Sequence, residues 1–182
     1  MSYQEKFSKT EKEFAEEVAK IDRVTRVVKG GRRFRFRAIV VIGNRKGKVG
    51  FGVAKGSDVS EAIKKANRKA RKNLRQVSLE GSSIAHQVEG KFKASYVLLK
   101  PAREGTGVIA GGGVRIVMDL LGVQDVLAKI FGSSNKLNSI RATLIALDKL
   151  RSPKLIAAMR GKKWNFPPAQ DSQKKTKQTN QK

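Results

Sequence analysis

The chain has 182 residues, no cysteine and a single histidine, His86. These counts exclude a disulfide scaffold, a thiolate nucleophile, sulfur-ligated zinc and a metal centre built on several histidines. Forty Lys and Arg against 15 Asp and Glu give a net charge of +25, which calls for a polyanionic partner: nucleic acid or an anionic membrane surface.

Hydrophobic residues make up 39%, enough to build a core. The best apolar runs, Ala38–Ile42 and Ile116–Leu121 (the second interrupted by Asp119), fall far short of the ~18 residues of a membrane span. The acidic N-terminus has no apolar segment of the secretory kind. A soluble intracellular protein is expected.

Residues 9–21 read as a short helix, with Phe14, Val18 and Ile21 at helical spacing and acids toward its start. Three strands are expected next. Arg23–Lys29 ends at Gly30-Gly31. Arg32–Gly43 carries Phe34, Phe36, Ala38, Val40 and Ile42 on one face and Arg33, Arg35 and Arg37 on the other. Past the turn Asn44–Gly47, Lys48–Lys55 alternates Val49, Phe51 and Val53 with small residues. Asp58 with Glu61 marks a helix start. The stripe Val59, Ala62, Ile63, Ala66, Ala70, Leu74 and Val77 predicts a helix running to about residue 77, with Lys64, Lys65, Arg68, Lys69, Arg71, Lys72 and Arg75 on its other faces.

Gly81–Ser83 reads as a boundary. Beyond it, a hairpin turning at Glu89-Gly90 is expected from Ile84–Val88 and Lys93–Lys100. Then come a Gly-rich run at 105–113, a helix over Val114–Leu121, a strand over Val126–Phe131 and a helix over Ser139–Leu150. A last short helix starts at Pro153 and ends by Gly161. After Pro167 the chain is polar and aperiodic, the composition of a disordered tail. No repeat at a solenoid period is present.

The charge is concentrated. Residues 23–79 hold eighteen Lys and Arg against two acids, Asp58 and Glu61. A strand spaces alternate side chains by about 6.6 Å, close to the spacing of backbone phosphates, and Gly30-Gly31 permits close approach to a ligand. A solvated sheet face normally mixes signs, whereas no acid lies between Arg23 and Ser57. RNA or DNA contact is the expectation. The basic helix fits either direct phosphate contact or a long-range attractive field.

The Gly-rich run follows a strand and opens a helix, the setting of a phosphate-binding loop. Its glycines are expected to leave backbone amides bare, and Gly112→Asp to strain the backbone and to put a negative charge where phosphate or tight packing is expected. The spacing Gly105-x-Gly107-x-x-x-Gly111 is not that of a dinucleotide fingerprint, and no Gly-Lys-Ser/Thr follows. His86 has no partners that sequence can place. Trp164 and Phe166 could stack on a base or pin the last helix, and at 6% aromatics stacking is not the leading mode.

Several stretches resemble one family. Val28–Phe34 resembles the hairpin-loop signature of bacterial-type small-subunit ribosomal protein number five. Val49–Lys55 followed by Ala62–Ala66 resembles its strand-to-helix signature. Lys100–Gly112 and Gly132–Asn135 resemble its second-domain loops, and Ser152-Pro153 with Arg160–Lys162 its usual ending. The likeness runs in order from about Val18 to Lys162. It implies a two-domain α+β fold: a double-stranded-RNA-binding-like antiparallel sheet on a helix, then a βαβα domain with a left-handed crossover, against the usual hand. The expected divisions are 1–21 (extension), 22–80, 81–164 and a tail at 165–182.

The resemblance also implies a cytoplasmic, ribosomal location, binding to small-subunit rRNA, and ribosomal proteins four and eight of that subunit as neighbours. It further implies a position near the mRNA entry channel, with a role in accuracy, and places Asp22–Arg33 beside the spectinomycin site. Contacts with rRNA are expected from Arg23, Arg26, Lys29, Gly30, Gly31, Arg32, Arg33 and Arg35 of the first hairpin. Arg45, Lys46 and Lys48 join from the next turn, and Lys55, Lys65, Arg68 and Lys72 from the strand-to-helix segment. The second domain adds Arg103, Gly105, Thr106, Gly107, Arg115, Ser133, Ser134 and Asn135. Gly111, Gly112 and Arg115 are expected against protein neighbours. No catalytic residue, cofactor, metal, membrane contact or homo-oligomer is expected. A free RNA-binding regulator or chaperone, and a phosphotransferase using the Gly-rich loop, stand as alternatives; the latter rests on fold analogy alone.

Overall fold

A computed structural model describes residues 14–79 and 81–162. Two four-stranded sheets follow one another along the chain. The first contains β1 (Ala15–Val28), β2 (Gly31–Gly43), β3 (Lys48–Gly56) and β4 (Leu74–Gln76), in the order β1-β2-β3-β4, with helix α1 (Val59–Lys72) between β3 and β4. All its pairings are antiparallel. The second contains β5 (Val88–Phe92), β6 (Ser95–Pro101), β7 (Val108–Ile109) and β8 (Val126–Gly132), in the order β5-β6-β8-β7. Helices α2 (Gly112–Leu121), α3 (Lys136–Asp148) and the short α4 (Pro153–Met159) complete it. β7 runs parallel to β8, so β7-α2-β8-α3 is the expected βαβα unit within an α+β chain.

Four expectations are corrected. Residues 15–21 are strand, not helix; the part of that expected helix before residue 14 lies outside the described residues, as do Trp164, Phe166 and the tail. Long-range pairing overrides local periodicity here: Ala15 to Val28 pair with Gly43 to Gly31, with a bulge at Ala19 that turns this one residue of β1 into the core. Second, α1 stops at Lys72. Leu74 and its neighbours form β4 against Lys48–Gly50, and Leu74 is exposed. Third, the second hairpin turns at Lys93-Ala94, and Lys93 has φ 53°. Gly90 lies inside β5 instead, where a Cβ would sit 2.1 Å from the Ala142 carbonyl oxygen; the glycine lets α3 lie against the strand. Fourth, α3 begins at Lys136, three residues earlier than expected, because Asn135 caps it.

Packing follows from residue size. α1 buries Ala62, Ala66 and Ala70 over Gly56, Gly52 and Gly50. A Cβ on Gly52 would stand 2.1 Å from the Ala66 carbonyl oxygen, so helix and strand approach closely only because neither carries bulk along the seam. With Ala38, Val40 and Ile42 these residues form one core. The opposite face of β2, Ile39 and Val41, enters a larger core shared with Val117, Leu120 and Leu121 of α2 and with Val97, Leu99, Ile140 and Leu147. Ala38 to Ile42 are therefore buried on both faces, the reason this stretch is uninterruptedly apolar. The Asn44–Gly47 turn docks on the end of α2: Arg45 and Gly47 donate their N–H groups to the carbonyls of Leu120 and Leu121 at 2.9 and 3.0 Å.

Candidate nucleic-acid interface

β3 pairs with β2 only from Phe36 onward. Residues 23–35 therefore continue past the sheet as a two-stranded arm, tipped by Lys29-Gly30, with Gly31 at φ 127°. Register divides the arm's side chains. Arg23, Thr25 and Val27 share a face with Phe36, Phe34 and Arg32, while Val24, Arg26 and Val28 share the other with Arg35, Arg33 and Gly31. The Arg23 guanidinium lies 3.7 Å from the centre of the Phe34 ring. Arg23, Arg26, Lys29, Gly30 and residues 31–35 are all exposed.

Asp22 lies at the base of the arm. It accepts from Arg37 at 2.6 Å and lies 2.8 Å from the Lys20 ammonium. These two cations, Lys20 first, hold its carboxyl below the usual range. Arg37 is thus paired inside the fold, and the arginines further out have no carboxylate on the arm itself.

A second cationic surface lies between α1 and β3. A shallow cleft of about 260 Å³ is lined by Ala54, Lys55, Lys65, Arg68, Lys69 and Lys72. Four expected contacts, Lys55, Lys65, Arg68 and Lys72, come together here, joined by Lys69, which was not among them. Their spacing on α1 follows the helical repeat: 65, 68, 69 and 72 fall on one face. Glu61 pairs with Lys65 across one helical turn. Held by Lys65 and by the Ser57 hydroxyl and amide, its carboxyl falls to about 2, so it is an anion throughout the physiological range.

The other expected residues are dispersed. Arg45, Lys46 and Lys48 sit at the opposite end of β2 from the arm, about 40 Å away at ~3.3 Å per strand residue. Arg45 and Lys46 border a cleft of about 650 Å³ with Gln76, Ser78 and Lys154. Arg115 lies 3.7 Å from Asp119 one turn along α2. Asn135 spends its side-chain oxygen on the Leu137 amide as the cap of α3, and the Ser133 carbonyl accepts from the Ser95 hydroxyl at 2.7 Å. Ser134, Arg103, Gly105 and Thr106 are exposed, and Gly107 is half-buried.

The Gly-rich loop departs from its expected chemistry. Gly107 donates its N–H to Asp125 Oδ1 at 2.9 Å. This bond first, then the Ser82 side chain and the Gly105 and Thr106 amides, holds the carboxyl below its ordinary range; the Thr106 N–H itself donates to the Arg103 carbonyl at 3.2 Å. The amide cradle thus holds an anion of the chain's own, and the amides of 105–107 are not bare. Sequence reasoning missed Asp125 because a lone Asp ahead of a strand carries no spacing signal. Gly111 and Gly112 remain exposed at the start of α2. Among the described residues no three His, Cys, Asp or Glu side chains gather as a metal site.

A projecting cationic arm, a lysine-lined cleft and a broadly basic surface on an α+β scaffold are the features of a nucleic-acid-binding protein. Residues 14–78 match the family model described as ribosomal protein S5, N-terminal domain, and residues 90–160 match ribosomal protein S5, C-terminal domain. The two models follow in order and together account for most of the chain. The chain belongs to the ribosomal protein S5 family, a structural, non-enzymatic constituent of the small ribosomal subunit that binds its rRNA.

Proposed function

We propose that the protein fixes one fold of small-subunit rRNA by neutralising phosphates at separate places rather than by reading base sequence. Arg23, Arg26, Lys29, Arg32, Arg33 and Arg35 form one contact on the arm, with Gly30 and Gly31 allowing the tip to approach the RNA closely. Lys55, Lys65, Arg68 and Lys72 form a second, and Arg45, Lys46 and Lys48 a third. In the second half, Arg103, Gly105, Thr106, Gly107, Ser133, Ser134 and Asn135 line an rRNA-facing loop surface. Gly111, Gly112 and Arg115 meet a protein neighbour. By family resemblance the neighbours are ribosomal proteins four and eight, the setting is the mRNA entry channel of a cytoplasmic ribosome, and the consequence is support of decoding accuracy.

The observation that carries this reading is the arm: thirteen residues, 23–35, with no acid among them, extending beyond the reach of β3. If about six phosphates are neutralised, log K for rRNA falls with log salt at a slope of roughly −4 to −5. Replacing Arg32, Arg33 and Arg35 together by Gln weakens rRNA binding and makes the slope shallower by about two to three, while thermal melting stays near wild type because exposed charges contribute little to stability. Salt-independent binding, or early melting with unchanged affinity of the folded fraction, overturns the reading.

A further inference from the structure

β4 covers β3 only at Lys48–Gly50, which leaves the edge of β3 from Phe51 to Lys55 without a strand neighbour on that side. A groove of about 620 Å³ opens there between β3 and α3, within the ~300–1,000 Å³ of clefts that bind small ligands. Its walls are Phe51, Val53, Leu74, Phe92, Leu144 and Ile145. Arg141 of α3 reaches into the aromatic pair, its guanidinium 5.1 Å from the Phe92 ring centre and 5.7 Å from that of Phe51. Lys69 and Arg75 also border the groove, and Arg75 pairs with Asp148. Lys69 lines both this groove and the cationic cleft between α1 and β3. A surface suited to phosphates thus leads, across one lysine, to a surface suited to an apolar ring.

We propose that this groove receives an unpaired base everted from the rRNA strand whose phosphates lie on the α1–β3 cleft; the inference rests on the rRNA-binding role assigned to that cleft. Three features select a base over an apolar peptide side chain. An aromatic pair with an intervening guanidinium offers stacking and cation–π contact to any base. The unpaired edge of β3 offers main-chain donors and acceptors to the hydrogen-bonding edge of a base. The cations lie on the side from which a phosphate backbone enters.

The absence of cysteine permits single-site labelling. Ile145→Cys carrying a benzophenone probes the groove, and Lys72→Cys with the same label probes the cleft, each in the full chain reconstituted into the small subunit. Both labels are expected to crosslink to rRNA, with reverse-transcription stops within a few nucleotides of each other. Arg141→Met, which keeps the aliphatic stem and removes the guanidinium, is expected to abolish the Ile145 crosslink and weaken rRNA binding about fivefold, leaving the Lys72 crosslink in place. A crosslink from Ile145 to a ribosomal protein, or none to RNA while Lys72 still crosslinks, overturns the base pocket alone. Loss of RNA crosslinks from both positions in the wild-type background overturns the cleft reading beneath it.

Discussion

Asp125 shows how one side chain changes the meaning of a motif. The glycines at 105 and 107 have φ 85° and 78°, and the Gly107 amide turns inward onto a carboxylate that is nearly inaccessible. Asp125→Asn removes the charge while keeping the shape. Amide exchange at Gly107 is expected to quicken by about tenfold or more, since hydrogen bonds to ionised acceptors are the stronger kind. Asp125 is held below its ordinary value of 3.8. The stability it contributes is therefore fully present above that pH and lost as pH falls through the folded-state value. Melting curves of variant and wild type should differ at neutral pH and converge in acid; a constant difference across pH would contradict this.

Gly112 is the reverse case. Its φ is not in the left-handed region, and a Cβ would meet nothing within 4 Å, so the strain expected for Gly112→Asp does not arise. A carboxylate in the first turn of α2 instead gains about 0.3–1 kcal/mol from the helix dipole. The isolated variant should melt at or slightly above the wild-type temperature. A defect in incorporation into the subunit would then report on what faces this surface, whereas early melting would show a steric cost.

Among the elements, α1 and β3 depend on their glycine–alanine seam. Gly52→Ala places a methyl against the backbone of Ala66 and Ala70; neither is a flexible side chain that could swing away. The expected loss is about 2 kcal/mol or more in urea unfolding, and an unchanged midpoint would refute the close-approach account. The same seam explains why β3 alternates glycine with Val49, Phe51 and Val53. The small residues face α1, and the large ones face the second half of the chain. Alternation was legible in sequence, but which face held the helix was not, because both faces of the strand are covered.

Over the whole molecule, the two family-matched regions meet through a single core. Ile39, Val41 and Val49 from the first sheet pack with Val117, Leu120 and Leu121 of α2, and Lys136 donates to the Ala19 carbonyl oxygen at the β1 bulge at 3.1 Å. Burying each such aliphatic side chain is worth about 1.5–3 kcal/mol, so several together are comparable to the ~5–15 kcal/mol of a whole fold. We propose that the chain unfolds in one cooperative transition, with residues 77–87 linking two interdependent halves rather than two separate folding units. Two resolved calorimetric transitions, or an excised 14–79 segment as stable as the full chain, would contradict it.

Much of this protein was legible without coordinates wherever the deciding interactions are local. Asp58, Pro153 and Gly161 mark helix ends because end signals act within one turn, and the run without acids from Arg23 to Ser57 announces a polyanion because charge needs no fold to be counted. The order of strands and helices from Arg32 to Met159 follows largely from periodicity, and the family resemblance from short motifs. Other features required the tertiary structure. Residues 15–21 have helical spacing yet become strand because β2 supplies a full hydrogen-bonding partner. Glu89-Gly90 resembles a turn yet lies in a strand because α3 needs the space. The Gly-rich loop suits a phosphate yet closes on Asp125, eighteen residues past Gly107. The groove between β3 and α3 exists only because Phe51, Phe92 and Arg141, distant in sequence, are brought to one edge. In each case the deciding contact spans many residues, and its strength depends on pairing and packing that only the folded chain creates.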